Sequence, residues 1–398
     1  MPPRKMSSRN APPAAPPAEG IDRIGALPDE VIHHVLSFLE AQDAVRTCVL
    51  ARRWRYLWRY ATGIRIRSSH LREIREFIDN LLLLRGLTPL FKCEFLFDEY
   101  DDEDVPHLNH LIKHAILCKV QTLRIRNIGC EGSPFVSQNL TRLDLEDMVL
   151  EDNFLNFSSS CPALQNLSLT VCFIESPNIS SDSLKYLSIN ECHFSFKYRT
   201  RICAPGLISL CLDDYWSKTP VLGGMPSLVD AIVRVTHDSA DCCSYSLYGD
   251  CGFEDCNDCY GDIHDKNNCV LLEGLSEAKS LALVAETRTF IFTRDLKRCP
   301  TFSKLKTLLL NEYWFRGPGF NALICILKHT PVLEKLVLYL FLKGQKHGVE
   351  MKGRYISMQK SAEISEHLEI VEVKCKEVDR NVVKVLKFFG TFGIYFCF

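Results

Sequence analysis

The sequence lacks any apolar run of roughly 18 residues, the length that a transmembrane helix requires, and its N-terminus lacks the apolar stretch of a secretory signal. These absences argue against a membrane span and predict an intracellular protein, in the nucleus or the cytoplasm. An excess of charge is also missing, because the net charge at pH 7 is only -2. The sequence therefore offers no overall electrostatic argument for binding nucleic acid or a membrane surface.

Catalytic motifs are missing as well. The chain has no Gly-rich phosphate-binding motif and no G-x-S-x-G nucleophile motif, and its histidines have no carboxylate or cysteine partner in a catalytic arrangement. We therefore predict a protein that is not an enzyme and needs no cofactor.

Cysteine is plentiful, with 19 residues among 398. Most cysteines stand singly inside apolar, strand-like runs, as Cys118, Cys172, Cys192 and Cys211 do. This placement favours reduced thiols in a core over a disulfide framework. The composition, 46% hydrophobic and 24% charged, is typical of a soluble globular protein.

Residues 1–20 are rich in Pro and Ala and predict a disordered leader. Residues 21–61 instead show short helical segments. The first helix is expected to begin at Pro28, with Asp29 and Glu30 at its positive end. Apolar residues recur along it at helical spacing, namely Val31, Ile32, Val35, Leu36 and Leu39. Two further segments, DAVRTCVL and RRWRYLW, complete a module of about 40 residues that is too small to stand alone.

The rest of the chain repeats the pattern L-x-x-L-x-L, with most steps at about 20 to 28 residues, the range of leucine-rich repeats. Copies begin at Val120, Leu140, Leu164, Leu184, Leu207, Ala278, Leu305, Leu333 and Leu368. SLVDAIVRV is a degenerate copy, and two helix-then-strand units extend the array upstream to about residue 64. The strands should form a parallel sheet on the concave face of a curved solenoid. The residues expected to point inward are Leu143, Leu145, Leu167, Leu169, Leu187, Ile189, Leu210 and Leu212.

An acidic, Cys-rich insertion at 237–269 interrupts the array. Cys256 and Cys259 form one C-x-x-C pair, whereas a structural zinc site usually shows two matched pairs, and the spacing does not fit a RING domain. Three interpretations stay open: a solvated loop with reduced thiols, a zinc site, or a loop that contacts a substrate. We predict no metal site here.

The segment LPDEVIHHVLSFLEAQDAVRTCVLARRWRYLW resembles a plant-type F-box, with Leu27-Pro28 at its start and Trp54 and Trp58 near its end. The whole chain is similar to plant F-box/LRR proteins that end in an FBD domain. The resemblance implies an α/β architecture: a helical F-box at 21–61, a leucine-rich-repeat solenoid at 62–360 and an FBD-like unit at 361–398.

The same resemblance implies a function. In that family the F-box binds a Skp-type adaptor, and through it cullin and RING subunits, while the repeats select a protein substrate for ubiquitination. The residues implied to face the adaptor or to support that face are Leu27, Pro28, Val31, Ile32, Val35 and Leu36. Those implied for the F-box core are Leu39, Val45, Trp54, Leu57 and Trp58. The alternatives are that all these residues are core docked on the first repeat, that the chain is a scaffold without ligase function, or that it is a zinc protein built on the insertion.

The C-terminal segment LEIVEVKCKEVDRNVVKVLKFFGTFGIYFCF predicts a strand, a helix and a strand that starts near Gly393. Compared with the family, this unit is shortened and ends in an apolar run. We expect such an edge strand to pair between chains. The alternative is burial of Ile394, Phe396 and Phe398 against the helix.

Overall fold

The computed structural model describes residues 24–99, 101–127, 136–151, 154–239, 241, 245, 269–286, 289–315, 320–340, 349–355 and 365–397. The predicted leader and most of the Cys-rich insertion, including Cys256 and Cys259, lie outside the described residues. The architecture is α/β, a small N-terminal helical part followed by a large parallel sheet. None of the described helices is long and apolar enough to cross a membrane.

The N-terminal module consists of two short helices and three 3-10 turns. The helices are α1 (Asp29–Leu36) and α2 (Ala41–Arg46), and the turns are Thr47–Val49, Arg52–Arg55 and Leu57–Tyr60. Pro28 precedes α1 directly, and Asp29 and Glu30 lie in its first turn. The predicted start of the first helix is therefore confirmed, since proline and acidic residues both favour a helix N-terminus.

The remaining elements include six further helices and twenty strands among the described residues. The helices are α3 (Leu71–Arg85), α4 (Val105–Leu117), α5 (Phe157–Ser160), α6 (Ile291–Leu296), α7 (Asn321–Lys328) and α8 (Arg380–Thr391). The strands in the first half are β1 (Gly63–His70), β2 (Lys92–Glu99), β3 (Thr122–Arg126), β4 (Arg142–Glu146), β5 (Val149–Glu151), β6 (Asn166–Thr170), β7 (Phe173–Glu175), β8 (Asn178–Ser180), β9 (Tyr186–Asn190) and β10 (His193–Phe194). The strands in the second half are β11 (Arg201–Cys203), β12 (Ser209–Ser217), β13 (Val221–Leu222), β14 (Asp230–Ser239), β15 (Ser280–Ala285), β16 (Thr307–Asn311), β17 (Lys335–Leu340), β18 (Val349–Tyr355), β19 (Ile370–Cys375) and β20 (Ile394–Cys397).

A single main ladder runs from the helical module to the C-terminal unit. Its parallel strands follow the order β1, β2, β3, β4, β6, β9, β12, β14, β15, β16, β17, β19. Strand β18 then pairs antiparallel with β19, and β20 pairs antiparallel with β18. The degenerate copy SLVDAIVRV forms β14 and takes its place in this ladder, as the repeat pattern predicts.

The repeat register is also confirmed. Leu167 pairs with Leu143 on one side and with Leu187 on the other, and Leu187 pairs with Leu210. The side chains predicted to point inward are all 2% exposed or less: Leu143, Leu145, Leu167, Leu169, Leu187, Ile189, Leu210 and Leu212. This arrangement follows from the period of two along each strand, which sends every second residue to the same face.

Two shorter parallel ladders accompany the main one in the middle of the array. One joins β5, β7, β10 and the end of β12, and the other joins β8, β11 and β13. Between β4 and β13, neighbouring units therefore pair through strands of the side ladders as well as through the main ladder.

The turn after the first strand of successive units is left-handed. Asn127, Asp147, Val171 and Glu191 occupy this position with φ between 50° and 55°, and Asp214 has φ 51° at an irregularity within β12. The backbone N–H of Val171 donates to the carbonyl of Asn190 in the next unit at 3.0 Å. Asparagine and aspartate tolerate such a φ, but a β-branched valine does so only with strain.

Val171→Asn is therefore expected to raise the free energy of unfolding by about 1 kcal/mol, because asparagine adopts the left-handed conformation more readily. Urea denaturation of the two proteins measures the difference. The control is Val149→Asn in β5, where the extended backbone favours valine and no gain is expected. An equal shift in both variants would contradict the strain at Val171.

The C-terminal unit contains the predicted strand, helix and strand as β19, α8 and β20. Asp379 caps α8 by accepting hydrogen bonds from the backbone N–H groups of Asn381 and Val382. Ile394 is buried and Phe396 is half-buried, whereas Tyr395 is exposed. Phe398 lies outside the described residues, and pairing between chains stays a prediction.

Candidate protein-binding surfaces

The interior of the helical module is built from both helices and the turns that follow. Ile32 and Leu36 lie four residues apart on α1 and are each 1% exposed, and α1 packs against the turn Leu57–Tyr60. Ala41, Ala44, Trp54, Leu57 and Trp58 are buried, and Val45 is half-buried against the same core. Ile32 and Leu36 therefore support the module from inside and do not offer a surface to a partner.

Leu39 does not belong to this core, contrary to the sequence prediction, because its side chain is 37% exposed. Helix α1 ends at Leu36, and residues 37–40 form a turn. The helical spacing that would have placed Leu39 beside Leu36 stops there, so the side chain projects into solvent.

An apolar stripe of Val31, Val35, Phe38 and Leu39 instead covers the outside of α1 and the turn after it. Val31 is 42% exposed and Val35 is 46% exposed. Their spacing places them in one line on the helix surface. Val49 and Leu50, after α2, are even more exposed, at 82% and 68%. So many exposed large apolar side chains on a module of this size indicate a protein-binding surface.

Arg53 holds the segment that leads into α1. Its guanidinium donates to the carbonyl of Leu27 at 2.6 Å, to the carboxylate of Asp29 at 3.0 Å, and to the carbonyl of Gly25. Leu27 is half-buried and Pro28 is exposed at the edge of the apolar stripe. The ion pair itself is solvent-exposed and adds little stability, but the carbonyl contacts orient the segment.

Two arginines connect the module to the elements that follow it, one from α3 and one from β1. Arg85 is buried at the end of α3 and donates to the carbonyls of Trp58 and Ala61, both at 2.9 Å. Burial lowers the pKa of Arg85 from its usual value. Arg65 in β1 donates to the carbonyl of Phe38 at 3.2 Å. Docking on the ladder thus uses backbone groups and leaves the apolar stripe free.

Space is tight at Gly63, at the junction between module and ladder. A Cβ atom at Gly63 would lie 3.0 Å from Cβ of Ser37, closer than such atoms normally approach. A larger residue at position 63 would require Ser37 or its backbone to shift by a few tenths of an ångström, so a small residue is favoured where β1 passes the turn after α1.

The exposed face of the main ladder is a second candidate surface, and its character changes along the array. On β1 to β4 the paired positions carry Arg65, Glu94, Arg124 and Asp144, so opposite charges alternate across strands. Burial alone would raise the pKa of Glu94, but hydrogen bonds from Lys92 and Arg65 hold it below its usual value.

Farther along the same row the charges give way to Ser168 and Ser188, and then to Ile232, Ala282 and Leu309. A shallow cavity of about 230 Å³ lies where the charged and small polar parts meet. It is lined by Arg124, Arg142, Asp144, Leu145, Glu146, Ser168 and Thr170. A partner that fits this face would combine charged and apolar groups in a fixed order.

The sequence analysis missed one cluster of chemical interest. Cys299, Cys325 and His329 bring three metal-ligating atoms within 4.8 Å of one another. Histidines lie near cysteines at two places that the sequence did not reveal, at His329 and at His114, whose Nδ1 lies 3.6 Å from Sγ of Cys118. The spacing Cys325-x-x-x-His329 was the available signal, since residues four apart share a helix face.

Comparison with known proteins relates the module to a family. The F-box domain profile matches residues 24–61. In Arabidopsis thaliana an F-box protein is 25% identical over 388 residues, covering 83% of this chain and 75% of the relative. An F-box/LRR-repeat protein is 27% identical over 375 residues, covering 80% and 69%. An F-box/FBD/LRR-repeat protein is 25% identical over 418 residues, covering 93% and 90%. No solved structure gives a significant match.

Proposed function

We propose that this chain, a member of the plant F-box/LRR family, is the substrate-receptor subunit of an SCF-type ubiquitin ligase, in which Skp, cullin and F-box proteins assemble. The F-box match at residues 24–61 carries the proposal. F-box domains generally bind a Skp-type adaptor, which links them to the cullin and RING subunits. The chain's own contribution is proximity, because it holds a target protein near the transferred ubiquitin and performs no bond chemistry itself.

The adaptor would contact the outside of α1 rather than its interior. Val31 and Val35 supply the exposed apolar side chains, and Leu27 and Pro28 supply the edge that Arg53 orients. Ile32 and Leu36 act indirectly, by holding α1 in place. Apolar side chains that are exposed in the free chain and buried in the complex are the usual source of affinity at such interfaces.

The target would bind the exposed face of the main ladder. We propose that the ladder curves into a leucine-rich-repeat solenoid with this face on the inside, and that β18, β19, α8 and β20 form an FBD-like unit at its end. The stacking of units in register supports this arrangement. The protein would work in the nucleus or the cytoplasm.

Affinity capture of the tagged chain from plant cells tests the proposal. We expect both a Skp-type adaptor and a cullin among the captured proteins, and we expect Leu27→Ala combined with Pro28→Ala to reduce both together. Leu83→Ala is the control, since Leu83 is an exposed leucine on α3 outside the module. Capture of the adaptor without a cullin would instead indicate a scaffold outside the ligase, and capture of neither would refute the assignment.

A further inference from the structure

Two neighbouring units of the array meet at a cluster of two thiols and one imidazole. Cys299 follows α6, Cys325 lies on α7 and His329 follows α7. Helices α6 and α7 pack against each other, and all three side chains are half-buried. The ligand atoms lie within 4.8 Å of one another, which is close enough for all three to reach a single ion after small rotations.

The imidazole is already oriented by the backbone. Nδ1 of His329 lies 2.8 Å from the carbonyl oxygen of Cys325. A carbonyl can only accept, so Nδ1 carries the proton and Nε2 carries the free lone pair. Metal-binding histidines commonly have this arrangement, in which the nitrogen that does not bind the ion donates to a carbonyl.

The two thiols interact with each other, and each also makes a weak contact with a backbone carbonyl. Sγ of Cys299 lies 3.6 Å from the carbonyl of Pro300, and Sγ of Cys325 lies 3.6 Å from the carbonyl of Leu296. Thiols are poor donors, so little is lost when these contacts are exchanged for a metal. Burial raises the pKa of both thiols.

We propose that Cys299, Cys325 and His329 bind a zinc ion that fastens α7 to the segment after α6. Two thiolates and one neutral imidazole balance the double charge of the ion, so the half-buried site has no net charge. Each thiol loses its proton on binding, and the two protons go to solvent. The fourth ligand is a water molecule, which leaves the charge of the site unchanged.

The site lies where the chain re-enters the array after the Cys-rich insertion. The carboxylate of Asp295 accepts hydrogen bonds from the backbone N–H groups of Val270, Leu271 and Leu272 at 3.0, 2.7 and 3.0 Å. Asp295 is the penultimate residue of α6 and lies four positions before Cys299. A metal that holds this segment would therefore stabilise the base of the insertion as well.

Metal analysis of the purified full-length chain tests the proposal. Because the insertion has its own C-x-x-C pair, the reference protein carries Cys256→Ser and Cys259→Ser. We expect about one zinc ion per reference chain, measured by inductively coupled plasma mass spectrometry. Adding Cys325→Ser or His329→Gln should lower the zinc content by about tenfold or more. The matched control is Cys203→Ser, a half-buried thiol in β11 outside the cluster.

Cobalt substitution gives a readout that does not depend on the variants folding. Co²⁺ added to the reference chain should produce a thiolate-to-metal charge-transfer band that zinc removes. Absence of both zinc and this band from the reference chain would overturn the proposal. Zinc content that is unchanged in Cys325→Ser would also do so, as would a mass lower by two hydrogens that marks a disulfide between Cys299 and Cys325.

Discussion

Val35→Asp is expected to weaken binding of a purified Skp-type adaptor by about 30- to 1,000-fold, the range for loss of an interface hot spot. Val35 is 46% exposed in the free chain, so a carboxylate there stays hydrated and the module should still fold. In the complex the carboxylate would be buried against apolar side chains without a partner, which is costly. Isothermal titration calorimetry measures the loss.

Two further substitutions separate binding from folding. Val136→Asp makes the same change at an exposed valine outside the module and should leave the affinity unchanged. Ile32→Asp places the carboxylate in the interior of the module and should lower the melting temperature as well as the affinity. If Val35→Asp binds the adaptor as tightly as Val136→Asp does, the adaptor does not use the apolar stripe.

The contrast between Val35 and Ile32 shows which features of α1 can be predicted from the sequence and which cannot. Helical periodicity identifies the apolar positions of α1, but these positions spread over more than one face, so the pattern does not show which of them face the core. The division between Ile32 and Leu36 inside and Val31 and Val35 outside depends on Trp54, Leu57 and Trp58, which return to the helix from later in the chain. Leu39 was misplaced because the end of a helix is harder to predict than its middle.

The main ladder could be predicted because each repeat carries its own register. In L-x-x-L-x-L the last two leucines lie two residues apart on a strand, so both must face the core. The side ladders and the buried Arg85 could not be predicted in this way. Arg85 donates to carbonyls 24 and 27 residues earlier in the chain, and no local pattern reports a contact of that kind.

The sequence drew attention to the C-x-x-C pair of the Cys-rich insertion, which lies outside the described residues. Its C-x-x-C pair is visible as a motif, whereas Cys299 and Cys325 come from different units and meet only when α6 packs against α7. Cys172 and Cys192 behave as the sequence predicts, since they are buried in neighbouring units of the core. The position of a cysteine within its repeat therefore distinguishes core thiols from candidate metal ligands better than the sequence spacing between cysteines does.

Leu167→Asp is expected to lower the free energy of unfolding by about 3 to 5 kcal/mol. Loss of a buried leucine costs about 2 to 5 kcal/mol through the cavity it leaves, and the unpaired carboxylate adds the cost of desolvation. Leu167 is 2% exposed between Leu143 and Leu187 in the main ladder. Urea denaturation monitored by circular dichroism measures the change. Ser188→Asp, on the opposite face of the adjacent strand, is the control and should change stability by less than about 0.5 kcal/mol.

Hydrogen exchange should show where Leu167→Asp acts, because in a repeat array each unit contacts mainly its neighbours. We expect faster amide exchange in β4, β6 and β9, while β16 and β17 keep their protection, since several intact strands separate them from the defect. Uniform loss of protection from β1 to β19 would mean that the ladder unfolds as one cooperative unit. Unchanged stability and unchanged exchange would contradict the buried position of Leu167 and the register derived from the repeats.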